Sequence, residues 1–310
     1  WSSSAGTMAT RADYFLQLDS LELKNFTQSK FNIFPYFAFN KNSPTDFEES
    51  NVGAEIFYSS GKGSQVNLTV NPDFGQAESD DVIVNFSAQE TFYKEKRAFF
   101  NENQSLFDIS NYDRYSVINT RRIGARPTYD CSMSSDEEAC NDAKKNYSDI
   151  DYSFRFTQKN DLSNYGLFVA QESDEAFSKG RKFIALRGKT KIDSRSFGYM
   201  VTNVENDIAE SESTVNVIDY INVRSKKLTT YADLLTTKKN DETGKGMRLQ
   251  YTYKPSDLTR NSASFLYFDK DFQINDFGYL KKSDWMHFGL GHNIKKIDYP
   301  EDSAYLQKDT

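Results

Sequence analysis

The sequence predicts an all-β fold, an antiparallel up-and-down transmembrane β-barrel, and three observations lead there. Apolar and polar residues alternate with period two through most of the second half. The links between these stretches alternate between short and long. Aromatics are abundant, 19 Tyr and 25 Phe among 310 residues, although the mean hydropathy is only −0.72. A soluble domain with 15% aromatics would ordinarily be rich in Leu, Ile and Val too. Here polar and aromatic residues interleave, as they do where one strand face meets lipid and the other meets water.

No run of about 18 apolar residues occurs, which excludes a helical membrane span and leaves a strand span open. The chain opens on Trp1 with no Met or leader, so it reads as a mature or excised piece. Residues 31–40, 52–59 and 64–71 have strand character, with a Gly-rich turn SSGKGS at 59–64. SGKGS lacks the spacing of a phosphate-binding loop.

Residues 72–114 break the alternation and are dense in charge, which predicts a segment folded inward as a plug. Three readings of the charges compete, the simplest being solvated surface charge. Asp73, Glu78, Asp80 and Asp81, with Glu90 and Glu95, form an internal ion-pair network with Lys96, Arg97, Arg121 and Arg122, since buried charges must be paired. Alternatively, the acids hold a hard cation such as Ca²⁺, which takes six to eight oxygens. Glu90 and Glu95 could also serve as the acid and base of a glycosidase, given a suitable separation.

Cys131 and Cys140 flank a polar acidic stretch, CSMSSDEEAC. A local disulfide in an oxidising compartment is the favoured reading, two free thiols the alternative. His287 and His292 lie five apart on an expected strand, hence on opposite faces, and do not form a shared metal site.

From residue 151 onward the period-two pattern is strong. Tyr152, Phe154 and Phe156 oppose Ser153, Arg155 and Thr157. Ile184 and Leu186 oppose Arg187, Lys189 and Lys191, a basic row expected to line a lumen and to favour anionic or polar solutes. Met247, Leu249, Tyr251 and Tyr253 oppose Arg248, Gln250, Thr252 and Lys254. Many such stretches run nine to eleven residues, the length of a tilted membrane strand. Short links are expected near 159–162, 192–195, 224–227 and 255–260. Longer links are expected near 172–180, 205–213, 238–245 and 271–284. By parity the two cysteines fall on the long-loop side. The net charge of −7 argues against nucleic acid as a partner.

The stretch VNPDFGQAESDDVIVNFSAQETFYKEKRAFFNEN at 70–103 closely resembles a bacterial outer-membrane family, the domain of unknown function 5916. The resemblance rests on Asn71, Pro72, Asp73, Phe74, Gln76, Glu78, Asp80, Val84, Asn85, Glu95, Lys96, Arg97, Phe99 and Phe100. RRIGARP (121–127) and DFGYLKKSDW (276–285) look like later pieces of the same family.

The resemblance covers roughly residues 20–295. It implies a barrel in the bacterial outer membrane, often preceded by a carbohydrate-binding module of the family-9 type, and continuing past the DFGYLKKSDW element. The chain is thus expected to be one barrel domain over 1–310, or the N-terminal part of one, with the charged segment 72–114 inside it. Outer-membrane lipid is the expected partner. Glycan, a partner subunit or further C-terminal strands are possible additions. The expected role is a pore or surface component linked to glycan uptake or use. The competing reading is a secreted carbohydrate-active protein, glycan-binding or glycoside hydrolase, with a soluble β-fold.

Overall fold

The computed structural model describes residues 28–42, 47–72, 90–102, 104–111, 114–131, 137–225, 227–296 and 308–309. The chain is built almost wholly of antiparallel β-structure. β1 (Lys30–Asn42), β2 (Phe47–Ser59) and β3 (Ser64–Val70) are followed by two short strands, β4 (Ser110–Asn111) and β5 (Tyr115–Ser116). The long strands then resume: β6 (Ile150–Lys159), β7 (Ser163–Glu172), β8 (Lys182–Ile192), β9 (Arg195–Asn206), β10 (Ser211–Ser225), β11 (Leu228–Lys239), β12 (Glu242–Ser256) and β13 (Thr259–Phe268). Two-residue β14 (Tyr279–Leu280), β15 (Trp285–Lys296) and two-residue β16 (Lys308–Asp309) complete the order.

One sheet runs β1-β2-β3-β6-β7-β8-β9-β10-β11-β12-β13-β15-β16, and a second runs β14-β5-β4. Each long strand pairs with its neighbours in sequence, apart from the excursions that interrupt the order. From β6 onward the long strands have ten to fifteen residues, well above the five to six usual in soluble sheets. Among the described residues β1 and β15 do not pair with each other, so the sheet is open.

The two ends of the sheet differ. At one end the links are 60–63, 160–162, 193–194 and 257–258. At the other they are 71–149, 173–181, 207–210, 240–241 and 269–284. The expected long links at 205–213 and 238–245 are therefore corrected to tight turns. Their polar residues belong to the ladder, which continues through the pairs Asn206↔Ser211 and Lys239↔Glu242. Asn240 closes the second turn with φ 51, a left-handed conformation that asparagine tolerates.

The sheet is curled, and a distance argument shows it. A compact inner body, formed by the described residues of 90–124 and by 269–280, touches strands from β3 to β13. Asn67 on β3 donates to Glu102 at 2.6 Å. Tyr115 packs edge-on against Phe268 of β13, with ring centroids 5.4 Å apart. In a flat sheet those strands would lie about 38 Å apart at 4.8 Å per step. Only a wall wrapped around this inner body brings both within reach.

The concave face changes character along the strands. Toward the long-link end it is apolar: Phe168, Phe183, Ala185, Met200, Val215, Val217 and Leu235 are buried against Phe99, Phe100, Leu106, Phe107, Phe272 and Phe277 of the inner body. At mid-depth it carries buried charge, namely Arg155, Arg187, Asp219, Asp233 and Arg248. Toward the short-turn end it is polar and open.

The convex face is apolar and uncovered, with Leu186 48%, Ile218 58%, Leu234 54% and Leu290 75% exposed. Its apolar band crosses the ladder obliquely. One register row reads Phe31–Tyr58–Val66–Phe156–Leu167–Leu186–Val201, then turns polar at Asn216, Thr236 and Lys245. Another starts polar at Ser64 and Gln158 and ends Tyr199–Ile218–Leu234–Met247–Tyr267–Met286. A band of constant depth cuts rows in this way when strands tilt against it.

Candidate functional site

The site is the inner body and the charged belt that holds it. Three wall arginines, on β6, β8 and β12, each donate to a main-chain carbonyl of the inner segment. Arg155 reaches Phe99 at 2.7 Å, Arg187 reaches Leu106 at 3.0 Å and Arg248 reaches Ser110 at 2.7 Å. Backbone carbonyls out of reach of water need such donors, and guanidinium offers several in a fixed fork.

Arg187 also forms a two-pronged pair with Asp219, one contact being 2.9 Å. Arg248 lies 2.7 Å from Asp233. Asp233 in turn accepts the Tyr115 hydroxyl proton in a short hydrogen bond. Burial pushes the Tyr115 hydroxyl well above its ordinary pKa, and the negative charge of Asp233 adds to the effect. The phenol therefore stays a donor.

Gly198 makes room for the Arg187–Asp219 pair. A Cβ there would lie 2.4 Å from Asp219 Oδ1 and 2.5 Å from Arg187 Nη1. Between this belt and residues 108–111 of the inner body lies a polar cavity of about 460 Å³, lined in part by Lys189, Tyr231 and Gln250.

A second cluster sits within the inner body. Arg97 pairs with Glu95 at 2.7 Å and donates to the carbonyls of Thr120 and Ile123 at 2.6 and 2.9 Å. The Thr120 hydroxyl donates to Glu95 at 2.7 Å. Burial alone would raise the Glu95 pKa, but the hydrogen bonds and charge of Arg97, with help from Thr120, hold it below the usual value. Arg122 pairs with Glu90 at 2.7 Å and donates through Nε to the Gly278 carbonyl at 3.0 Å. Arg121 donates to the Lys94 carbonyl at 2.8 Å.

A third contact fastens the body to the long-link end. Glu172, 1% exposed, takes a two-pronged pair from Arg181 at 2.7 and 2.8 Å and the Gly124 N–H at 2.8 Å. Gly124 has φ +79, which favours glycine.

The structure brings together pieces far apart in sequence. Glu90 to Phe100, the RRIGARP stretch and the DFGY stretch all meet in the inner body. β14 pairs with β5 through Tyr279↔Ser116 and Leu280↔Tyr115. Asn119 donates to the Phe277 carbonyl at 2.7 Å, and the Tyr279 hydroxyl donates to the Glu90 carbonyl at 3.2 Å. A Cβ on Gly278 would lie 2.5 Å from the Ser116 carbonyl oxygen. The longer link expected near 271–284 is present as 269–284. It folds back over the concave face, because Phe272, Ile274, Phe277, Tyr279 and Leu280 are all buried there.

Of the residues singled out from sequence, Asp73, Glu78, Asp80 and Asp81 lie outside the described residues. The Ca²⁺ expectation lies with them. Among the described residues no group of three or more His, Cys, Asp and Glu could hold a metal. Glu90 and Glu95 are each engaged by a different arginine. Lys96 donates its backbone N–H to Glu95 at 3.0 Å. Arg187 faces the concave side, but it is paired and roofed by the inner body rather than lining an open channel. Lys189 borders the cavity beside it, and Lys191 is exposed nearer the turn. Cys131 and Cys140 form a disulfide, on the long-link side.

Sequence reasoning missed Asp219, Asp233, Glu172 and Arg181, and gave Arg155 and Arg248 a face but no role. A signal existed for the two aspartates. Each is a lone acid inside an apolar strand, in VNVIDYINV and YADLL, within register reach of an arginine.

Residues 27–151 match the family model of the domain of unknown function 5916. No curated protein matches the chain. Among solved structures, the in-vitro folded OmpT outer membrane protein of Vibrio cholerae in its trimer form is similar with a TM-score of 0.35 and 12% identity, over 85% of this chain and 98% of that one. The anion-selective porin from Comamonas acidovorans is similar with a TM-score of 0.37 and 10% identity, also over 85% and 98%. The matched residues, 27–151, hold the Glu95–Arg97 cluster and the RRIGARP stretch.

Proposed function

We propose that the chain forms the wall of a bacterial outer-membrane β-barrel whose interior is narrowed by the inner body acting as a plug. One observation carries this reading: the uncovered face of the sheet is apolar, whereas the enclosed face carries buried charge at mid-depth and polar residues toward the short turns. A soluble sheet buries its apolar face and wets the other. Here Ile218, Leu234, Met286, Phe288 and Leu290 point outward, while Arg155, Arg187, Asp219, Asp233 and Arg248 point inward. That inversion fits lipid outside and water inside. An exposed apolar surface this broad is otherwise an aggregation hazard.

The role that follows is restricted passage or surface display of a polar solute. The family resemblance adds glycan as the class of material served, and further strands or a partner subunit would complete the wall.

Site-directed tryptophans test the membrane reading. The protein would be reconstituted with brominated phosphatidylcholine after Ile218→Trp, Leu234→Trp or Leu290→Trp. Strong quenching is expected at all three and little at Thr237→Trp on the concave face. Equal quenching at Thr237, or a monodisperse protein in detergent-free buffer, would sink the proposal.

A further inference from the structure

The charged belt is balanced, but the face beyond it is not. On the short-turn side of the belt, the concave positions of β8, β12, β13 and β15 carry Lys189, Lys191, Lys254, Arg260 and Lys295. Their facing follows from register and alternation. Lys189 lies opposite Gly198, Lys191 opposite Ser196, and Arg260 opposite Asn293. Lys254 continues the parity of buried Arg248, and Lys295 that of Asn293.

None of the five has a carboxylate within ion-pair distance among the described residues, whereas Arg155, Arg187 and Arg248 all do. Two cavities use these cations. Lys254, Arg260 and Lys295, together with Asp257, line one of about 550 Å³ at the turn end. Lys189 lines the 460 Å³ cavity under the inner body.

We propose that this half of the concave face is an anion-collecting vestibule, which draws a small polyanion bearing two or more carboxylate or phosphate groups toward the inner body. It rests on the reading that the concave face is the water side. The physical ground is field focusing. Like charges lining a concavity with low-dielectric walls reinforce one another and raise the local concentration of the opposite ion. Thr259, Ser262 and Asn293 of the same cavity offer neutral hydrogen-bonding groups, but its cations are what select for negative charge. Asp257 offsets one of the three cations and leaves the cavity net positive. The acids on the outer links, such as Asp174 and Glu175, lie at the other end of the sheet.

The test uses the full chain in detergent micelles, with four probes: citrate, tripolyphosphate, sorbitol and putrescine. Citrate and tripolyphosphate are expected to bind saturably, and the apparent affinity should fall about tenfold or more between low and physiological salt. Preference between the two separates a carboxylate source from a phosphate source. Sorbitol and putrescine are expected not to saturate. The variant Lys254→Glu/Arg260→Glu/Lys295→Glu alters two exposed side chains and one half-buried one, and should lose about tenfold for the anions. Lys238→Glu, on the convex face at the opposite end, should change nothing. Sorbitol binding as tightly as citrate, or a triple variant with unchanged citrate affinity, would overturn the proposal. Lipid quenching is read on the other face and needs no anion, so the two readings can fail separately.

Discussion

At the residue scale, charge inside the curled wall is tolerated because each group is answered locally. Glu95 shows how this connects to pH. Its folded pKa lies below the ordinary value near 4.5. A depressed carboxylate contributes stability that is fully present above its unfolded pKa and is lost as pH falls through the lowered folded pKa. The inner body is therefore expected to loosen as pH drops below about 4. Amide protection of Phe99, Phe100 and Ile123, followed from pH 6 to pH 3, checks this. Glu95→Gln should remove that pH dependence and weaken the body by about 1–3 kcal/mol at neutral pH, since Arg97 loses its charged partner. Unchanged protection across that range would show that the cluster contributes nothing.

At the element scale, each long strand carries two messages. Its convex face carries an apolar band that gives way to polar residues toward the strand ends. Its concave face passes from apolar through charged to open and polar. β8 shows all three in KFIALRGKTKI: Phe183 and Ala185 lie under the inner body, Arg187 is in the belt, and Lys189 and Lys191 lie beyond it. The apolar stretches where alternation fails, GLFVA on β7 and KFIAL on β8, are those buried on the concave face and apolar on the convex one.

Gly198 is where one element must yield to another. Gly198→Ala is expected to push Arg187 and Asp219 apart and to destabilise by about 1–3 kcal/mol. Gly188→Ala is a matched control on the neighbouring strand, where a Cβ would meet Tyr165 only at 4.0 Å. Equal denaturation midpoints for the two variants would contradict this account.

At the scale of the whole molecule, the curl and the open edges govern behaviour. β1 and the Trp285–Ile294 part of β15 present unpaired backbone among the described residues. Unpaired edges invite pairing. In the isolated chain, edge amides of β1 and β15 are expected to exchange with solvent far faster than those of β10 and β11, which are paired on both sides. Equal protection would mean that the edges have found each other or another chain. The edges are also antiparallel to one another, so they could pair directly or through an even number of added strands.

The sequence by itself determined the strand pattern. Period-two alternation fixes which residues share a face, because successive side chains in a strand must point oppositely. Tyr152, Phe154 and Phe156 were therefore legible as one face and Arg155 as the other. So was the disulfide, since the eight mostly polar residues between Cys131 and Cys140 close easily into a loop. The register of distant strands was not legible, nor was the path of 90–124 and 269–284 over the concave face. Those depend on how far the wall curls. Only the curl puts Arg155, Arg187 and Arg248 around one inner segment, while Lys189 and Lys191 of the expected row stay beyond that belt. Face is a local property of the backbone, whereas enclosure depends on contacts between residues 56 to 138 positions apart.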